Sequence, residues 1–144
     1  MICCKFAGFD YMKKERHYIS IALFCMYILA VGVVCFARPD EIPQLPLDWF
    51  GLSSDKIAHF LMFIPFPILA WLAFVPERLS KSCKSLSLIA ISVIGAVIAA
   101  ATEQIQGALG YRLYEIKDLF ADFIGIAVGA IAILAYIALK TERK

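Results

Sequence analysis

The sequence predicts an all-α membrane protein, built as a bundle of four transmembrane helices. Of its 144 residues, 62% are hydrophobic and only 18% are charged, whereas soluble domains are closer to half apolar and a quarter charged. The apolar residues are also gathered into four runs, each close to the length of about 20 residues that a helix needs to cross the hydrocarbon core. We therefore expect a single transmembrane domain over residues 1–144.

The four runs place the predicted helices at about 18–37, 57–75, 86–106 and 119–139. They contain so few charges that a water-soluble bundle would need four helices that are apolar on every face. Such a chain would have too little polar surface to cover them. Hydropathy of this kind is typical of membrane spans.

The first run resembles a signal peptide in one respect, since lysine and arginine residues precede it. It is longer than the usual h-region of about 7–15 residues, and it is followed by Arg38 and Pro39 rather than by a small-residue cleavage site. We expect it to be retained as a helix. Residues 12–14, Met-Lys-Lys, resemble a translation start, which would make residues 1–11 an upstream extension.

The basic residues are distributed unequally along the chain. Ten of the fourteen lysines and arginines lie in the amino-terminal segment, the second loop and the tail, and four lie in the first and third loops. The positive-inside rule therefore predicts an antiparallel up-down bundle that is N-in/C-in, with both termini cytoplasmic. The loops expected to face outward contain no cysteine, so no disulfide is implied. A net charge of +2 gives no reason to expect a nucleic-acid partner.

Prolines and glycines predict how the helices bend and pack. Pro65 and Pro67 lie inside the second run, where they should kink the helix and free carbonyl groups near residues 61–63. Ser53 or Ser54 is suited to cap that helix. In the last two helices, small residues recur four positions apart, a spacing that lets helices approach closely in lipid. These packing residues are Gly95 and Ala99, then Gly125 and Gly129.

Polar residues are concentrated where the predicted helices meet the outward side. Asp55 and His59 share one helix face, and Asp118 and Asp122 share another, because residues four apart on a helix are neighbours. Ionisable groups within membrane spans face the bundle interior, pair with one another and are functional candidates. The candidate residues of this polar cluster are Asp55, Lys56, His59, Glu103, Gln106, Arg112, Asp118 and Asp122.

Three hypotheses for the polar cluster remain open. It could be structural, with Lys56 and Arg112 neutralising carboxylates at the helix ends. It could bind or transform an envelope lipid or another amphipathic molecule, with His59 and Glu103 as general acid and base and the two basic residues holding a phosphate. It could ligate a divalent metal, but there is no tight ligand motif, so we expect no metal and no other cofactor. The residues of that third hypothesis are Asp55, His59, Glu103 and Asp122.

These residues resemble the motifs of the VanZ-like membrane proteins. Residues 55–60 look like that family's DK-x-x-HF, and residues 103–106 look like its E-x-x-Q. Arg112 stands where the family has a loop arginine. Residues 118–125, with Gly129 beyond them, are similar to its D-x-x-x-N-x-x-G-x-x-x-G. All of these motifs lie within residues 53–130, in the same order and at the same spacings, and the one departure is an Asp at position 122 where the family usually has Asn.

The resemblance implies a small multi-pass protein of the bacterial plasma membrane. The founding member of the family is associated with resistance to the glycopeptide teicoplanin, and no established reaction can be carried over. We therefore expect a non-enzymatic cell-envelope protein that contacts membrane lipids and engages a lipid-linked or lipoglycopeptide ligand through the outward cluster. The alternative is an intramembrane enzyme that modifies an envelope lipid or precursor, with Glu103 and His59 as acid and base. A transporter is a third, weaker option, since four short helices provide no complete pathway unless the protein oligomerises.

Overall fold

Every element of regular structure in the described residues is a helix. A computed structural model of the protein describes residues 3–37, 53–110 and 115–142, and describes side chains within 14–37, 53–110 and 115–140. The helices are α1 (Cys3–Phe36), α2 (Ser54–Phe63), α3 (Pro65–Phe74), α4 (Lys81–Ala108) and α5 (Ile116–Glu142). Because only Ile64 separates α2 from α3, these two helices form one span, and the five helices make four spans.

Each of the four spans is long and apolar enough to cross a membrane, which confirms the predicted fold class. The segments concerned are Lys14–Phe36, Ser54–Phe74, Lys81–Ala108 and Ile116–Lys140. Large apolar side chains point away from the bundle on all four, and Leu29, for example, is 70% exposed. A soluble protein rarely exposes apolar surface so extensively, so lipid is the solvent of these faces.

The observed helices are longer than the apolar runs that predicted them. The third span begins at Lys81, five residues before its apolar run, and the fourth continues to Glu142. Backbone hydrogen bonding does not stop where the side chains become polar, so the charged flanks continue the helix. At the start of α4, Ser80 Oγ accepts a hydrogen bond from the backbone N–H of Cys83 at 3.3 Å, the usual arrangement of an N-cap.

The predicted serine cap of the second span lacks the hydrogen bond that would make it a cap. Ser53 occupies the N-cap position of α2, but its side chain makes no capping hydrogen bond. Its hydroxyl oxygen instead accepts a hydrogen bond from Lys56 Nζ at 3.1 Å. The serine therefore helps to hold a lysine side chain rather than the first turn of the helix.

Consecutive spans run in opposite directions, so that the end of α1, the starts of α2 and α5 and the end of α4 meet at one side of the bundle. We call this side the polar end. There, Gln106 in α4 contacts Cys35 in α1, whereas at the opposite side Lys140 Nζ lies 3.3 Å from Glu77 Oε1. The second span has the most extensive contacts with the other three, and α1 packs mainly against α3. The second span is therefore the main packing partner within the bundle.

The predicted kink in the second span is present at Ile64, between α2 and α3. Pro65 and Pro67 lack the backbone N–H groups that would continue the helical hydrogen bonds, which explains the position of the break. The neighbouring span contributes a donor here, since the Tyr27 hydroxyl donates to the Met62 carbonyl oxygen at 2.7 Å. A side chain of α1 thus satisfies a carbonyl within the range predicted to be freed.

Glycines of α5 allow it to pack directly against the backbone at this break. A Cβ atom added to Gly125 would lie 2.5 Å from the carbonyl oxygen of Phe60. One added to Gly129 would meet the carbonyl oxygen of Ile64 and the ring of Pro67. The close approach brings the first turns of α5 against α2, where the polar residues lie. Beneath them is an apolar core of Phe63, Phe66, Ala70, Trp71, Leu88, Ile91, Ala99, Ile126 and Ile133.

Candidate functional site

Buried ionisable side chains from three helices meet at the polar end. His59 in α2, Glu103 in α4 and Asp122 in α5 are 3%, 1% and 0% exposed. His59 Nδ1 lies 3.0 Å from Asp122 Oδ1 and 3.6 Å from Glu103 Oε1. The first distance is that of a hydrogen bond and the second is slightly longer than one. We call these three residues the inner cluster.

A second set of charges surrounds Lys56, closer to the surface. Lys56 Nζ lies 2.8 Å from Glu115 Oε2, and 3.2 Å from Asp118 Oδ1 without the geometry of a hydrogen bond. The hydrogen bond from Lys56 lowers the pKa of the Glu115 carboxyl below its ordinary value. The Lys56–Glu115 pair therefore contributes fully to the free energy of unfolding when the pH is above the ordinary pKa of glutamate. This contribution is lost as the pH falls through the lowered pKa of Glu115.

This arrangement argues against a phosphate-holding role for Lys56. Its ammonium group already has two carboxyl partners, so an added anion would have to compete with both. Glu115 was not among the predicted residues of the polar cluster, because it lies immediately before α5, beyond the apolar run. Only its charge and its position near Asp118 could have drawn attention to it.

The Gln106 side chain is buried and makes a hydrogen bond within the protein. Its side chain is 2% exposed, and its Nε2 donates to the backbone carbonyl of Cys35 at 2.8 Å. That carbonyl belongs to the last turn of α1, where helical carbonyls have no partner within the helix. Gln106 therefore ties the end of α1 to α4 beside the inner cluster.

The remaining predicted residues are placed less uniformly. Asp118 is buried, at 4% exposure, and ligand atoms of Asp55, His59 and Asp118 all lie within 4.8 Å of one another. Arg112 lies outside the described residues, so its place in the polar cluster stays a prediction. The two packing glycines of α5 face the break in the second span rather than the polar groups.

The buried charges of the polar end do not balance among themselves. Three buried carboxyl groups, those of Glu103, Asp118 and Asp122, are accompanied by one imidazole and one ammonium group. Each of these three side chains also has a buried oxygen without a hydrogen-bond partner: Oε1, Oδ1 and Oδ2 respectively. Buried polar atoms are nearly always paired. Within residues 14–37, 53–110 and 115–140, the polar end therefore has unused capacity to accept hydrogen bonds or to hold positive charge.

Two kinds of chemistry are possible in such a site. A histidine next to buried carboxyl groups can exchange a proton with a bound molecule. The same oxygens and the imidazole can instead coordinate hydroxyl or amine groups, or a metal ion, since the ligand atoms of the inner cluster all lie within 4.8 Å of one another.

Fold and site together define the class of the protein: a multi-pass membrane protein with a carboxyl-rich polar cluster buried at one end of four apolar spans. The model of the VanZ/LLP1 family matches residues 10–139. Because the match covers nearly the whole chain, the protein belongs to the VanZ/LLP1 family, as its motifs predicted. Comparison with curated proteins gave no match, and neither did comparison with solved structures.

Proposed function

We propose that this protein acts at the outer face of the bacterial plasma membrane, where its polar end engages the head of an amphipathic envelope molecule. The class of ligand is a lipid-linked sugar or peptide, or a lipoglycopeptide such as teicoplanin. The observation that supports this proposal best is the excess of buried carboxyl oxygens at one end of the spans. Hydroxyl, amide and amine groups of such a head would donate to those oxygens.

The surroundings of the polar end suit a molecule with an acyl chain. Large apolar side chains remain exposed on the spans next to it, including Phe120 and Ile124 on α5. An acyl chain could lie along these faces in the lipid layer while the polar head reaches the carboxyl groups. A glycopeptide anchored in the membrane in this way would be held away from its target, which would raise tolerance to it.

The proposal requires the polar end to face outward, and the charge distribution of the loops supports that orientation. Two single-cysteine variants test it in a background without the other cysteines. One retains Cys83, which is exposed at the side of the bundle opposite the polar end, and the other carries Ser53→Cys at the polar end. A membrane-impermeant maleimide should label the second in intact cells, and the first only after lysis. The reverse pattern would place the cluster in the cytoplasm and refute an outer-face function.

Antibiotic tolerance tests the ligand class. Expression of the wild type in a teicoplanin-susceptible bacterium should raise the inhibitory concentration of teicoplanin, and Glu103→Gln should remove the increase because it deletes a buried carboxylate with little change of shape. Gln104→Ala is the matched control, since Gln104 is the exposed neighbour on the same helix. Immunoblots of membrane fractions check that all three proteins are present in equal amounts. An unchanged inhibitory concentration with the wild type would remove glycopeptides from the proposal.

A second candidate function, an intramembrane enzyme acting on an envelope lipid, is favoured by one distance. His59 Nδ1 and Glu103 Oε1 are 3.6 Å apart and both are buried, so a small closure would bring them within reach of a shared proton. Mass spectrometry of lipids from cells with and without the protein separates the two functions. A new or missing head-group species supports the enzyme, and an unchanged lipid profile with altered teicoplanin tolerance supports the binding protein.

A further inference from the structure

The inner cluster has the composition of a metal site. It contains one imidazole nitrogen and two carboxyl groups, each from a different helix, and all three residues are more than nine-tenths buried. Their ligand atoms lie within 4.8 Å of one another. No short sequence motif joins them, because the ligands come from α2, α4 and α5, and this is why their spacing along the chain predicts no metal.

The two distances from the imidazole nitrogen to the carboxyl oxygens suit a small cation bound between these atoms. In a tetrahedral zinc site with metal–ligand bonds of about 2.0–2.1 Å, neighbouring ligand atoms lie about 3.3 Å apart. His59 Nδ1 lies 3.0 Å from Asp122 Oδ1 and 3.6 Å from Glu103 Oε1, so each distance is within about 0.3 Å of that value. A larger cation such as Ca²⁺ takes six to eight oxygen ligands, which three side chains do not supply.

Unused acceptor atoms point to a ligand independently of these distances. Glu103 Oε1 and Asp122 Oδ2 are buried and have no hydrogen-bond partner in the part of the chain that the structure describes. Two ionised carboxylates in a bundle surrounded by lipid need compensating positive charge, and among the described residues the imidazole alone does not provide it for both. A doubly charged cation bound by Glu103 Oε1 and by the Asp122 carboxylate would balance the pair of carboxylates in one step.

We propose that His59, Glu103 and Asp122 bind one divalent first-row transition-metal ion, with zinc as the best fit, through Nδ1 and the two carboxylates. An imidazole ligand favours such an ion over Mg²⁺ or Ca²⁺. Three protein ligands leave a fourth tetrahedral position open, as in catalytic zinc sites. This inference deepens the proposed function and rests on it in one respect: the open position is where an oxygen of the envelope molecule's head would bind.

The second possible set of ligands, Asp55, His59 and Asp118, is less suitable. Asp118 already faces the ammonium group of Lys56 at 3.2 Å, and a cation beside that lysine would meet like charge. His59 belongs to both sets, but its Nδ1 faces Glu103 and Asp122. The inner cluster is therefore the site, and Asp118 and Lys56 form its outer boundary.

A titration with the metal alone tests the proposal. Purified protein in detergent is stripped with a chelator, and Zn²⁺ is added during isothermal calorimetry in the presence of excess Mg²⁺. We expect one equivalent to bind, with affinity lowered at least about tenfold in Glu103→Gln and Asp122→Asn. His17→Ala is the control, since His17 is exposed on α1. It should bind as the wild type does, which excludes adventitious binding by a surface histidine.

A second measurement covers the case in which a variant folds poorly. Saturating Zn²⁺ should raise the Tm of the wild type and of His17→Ala, and should leave the Tm of Asp122→Asn unchanged. Wild type that takes up no zinc, or variants of the inner cluster that bind it as the wild type does, would overturn the inference. The titration contains no envelope molecule, so a failure to bind zinc would not contradict the proposed function. A failed teicoplanin tolerance assay would likewise not contradict zinc binding.

Discussion

Replacing Gly125 by alanine should damage the polar end through packing alone. The added Cβ would lie 2.5 Å from the Phe60 carbonyl oxygen, whereas a carbon–oxygen contact needs about 3.3 Å. The first turns of α5 would have to move away from α2 by about 0.8 Å. His59 is the neighbour of Phe60, and Asp122 lies three residues before Gly125, so the same movement would stretch the 3.0 Å contact between them to about 3.8 Å, beyond hydrogen bonding.

The expected loss of stability is that of an overpacked interface, about 1–3 kcal/mol, or roughly 3–10 °C in Tm for a chain of this size. Tryptophan fluorescence during heating in detergent, to which the buried Trp71 contributes, would measure it. One scan rate is used for all variants because unfolding of such proteins is often irreversible. Gly32→Ala makes the same chemical change on α1, where no atom lies within 4 Å of the added Cβ. If the Tm of Gly125→Ala equalled that of Gly32→Ala, the inferred close approach of α5 to α2 would be wrong.

Three further predictions concern single side chains. Tyr27→Phe removes the hydroxyl donor at the break in the second span and should lower stability by about 1 kcal/mol, measured as Tm; an unchanged value would mean that the carbonyl has another donor. Gln106→Ala should destabilise the protein by about 1–3 kcal/mol because it removes a buried donor, while Gln104→Ala on the same helix should leave Tm within error. Glu103→Gln and His59→Ala test whether the inner cluster serves function or stability. We expect a Tm at or above that of the wild type in both, because functional sites are kept at a cost in stability. A loss of stability of about 3–5 kcal/mol in both would instead identify the inner cluster as a structural clamp.

Much of the fold follows from side-chain chemistry that is local in the sequence. Apolar runs of membrane length indicated the four spans, and two prolines inside the second run indicated its break. The same reasoning brought His59, Glu103 and Asp122 to one depth, because each lies near the same end of its run. Helix order around the bundle did not follow, since hydropathy fixes only how deep a residue lies in the membrane.

Other features depend on contacts between distant segments and leave no local signal. Nothing near Tyr27 shows that its hydroxyl will meet a carbonyl of another span. Two roles stayed open for Lys56, the neutralisation of carboxylates and the binding of an anion, because its two carboxyl partners lie some sixty residues later. The structure also extends the helices through their charged ends, since hydropathy marks where the apolar layer stops and not where the helix does.

The crossing of three distant segments at the polar end also sets the order in which the protein can be completed. Synthesis proceeds from the amino terminus, and domains form as their parts emerge. Both carboxyl partners of Lys56, as well as Asp122, belong to the last span or to the residue just before it. A nascent chain of three spans would carry His59 and Glu103 without these partners. Insertion of α5 is therefore the step that completes the polar end. A ribosome stalled before Asp118 would leave the His59 imidazole and the Glu103 carboxyl group exposed to lipid, to chaperones or to proteases.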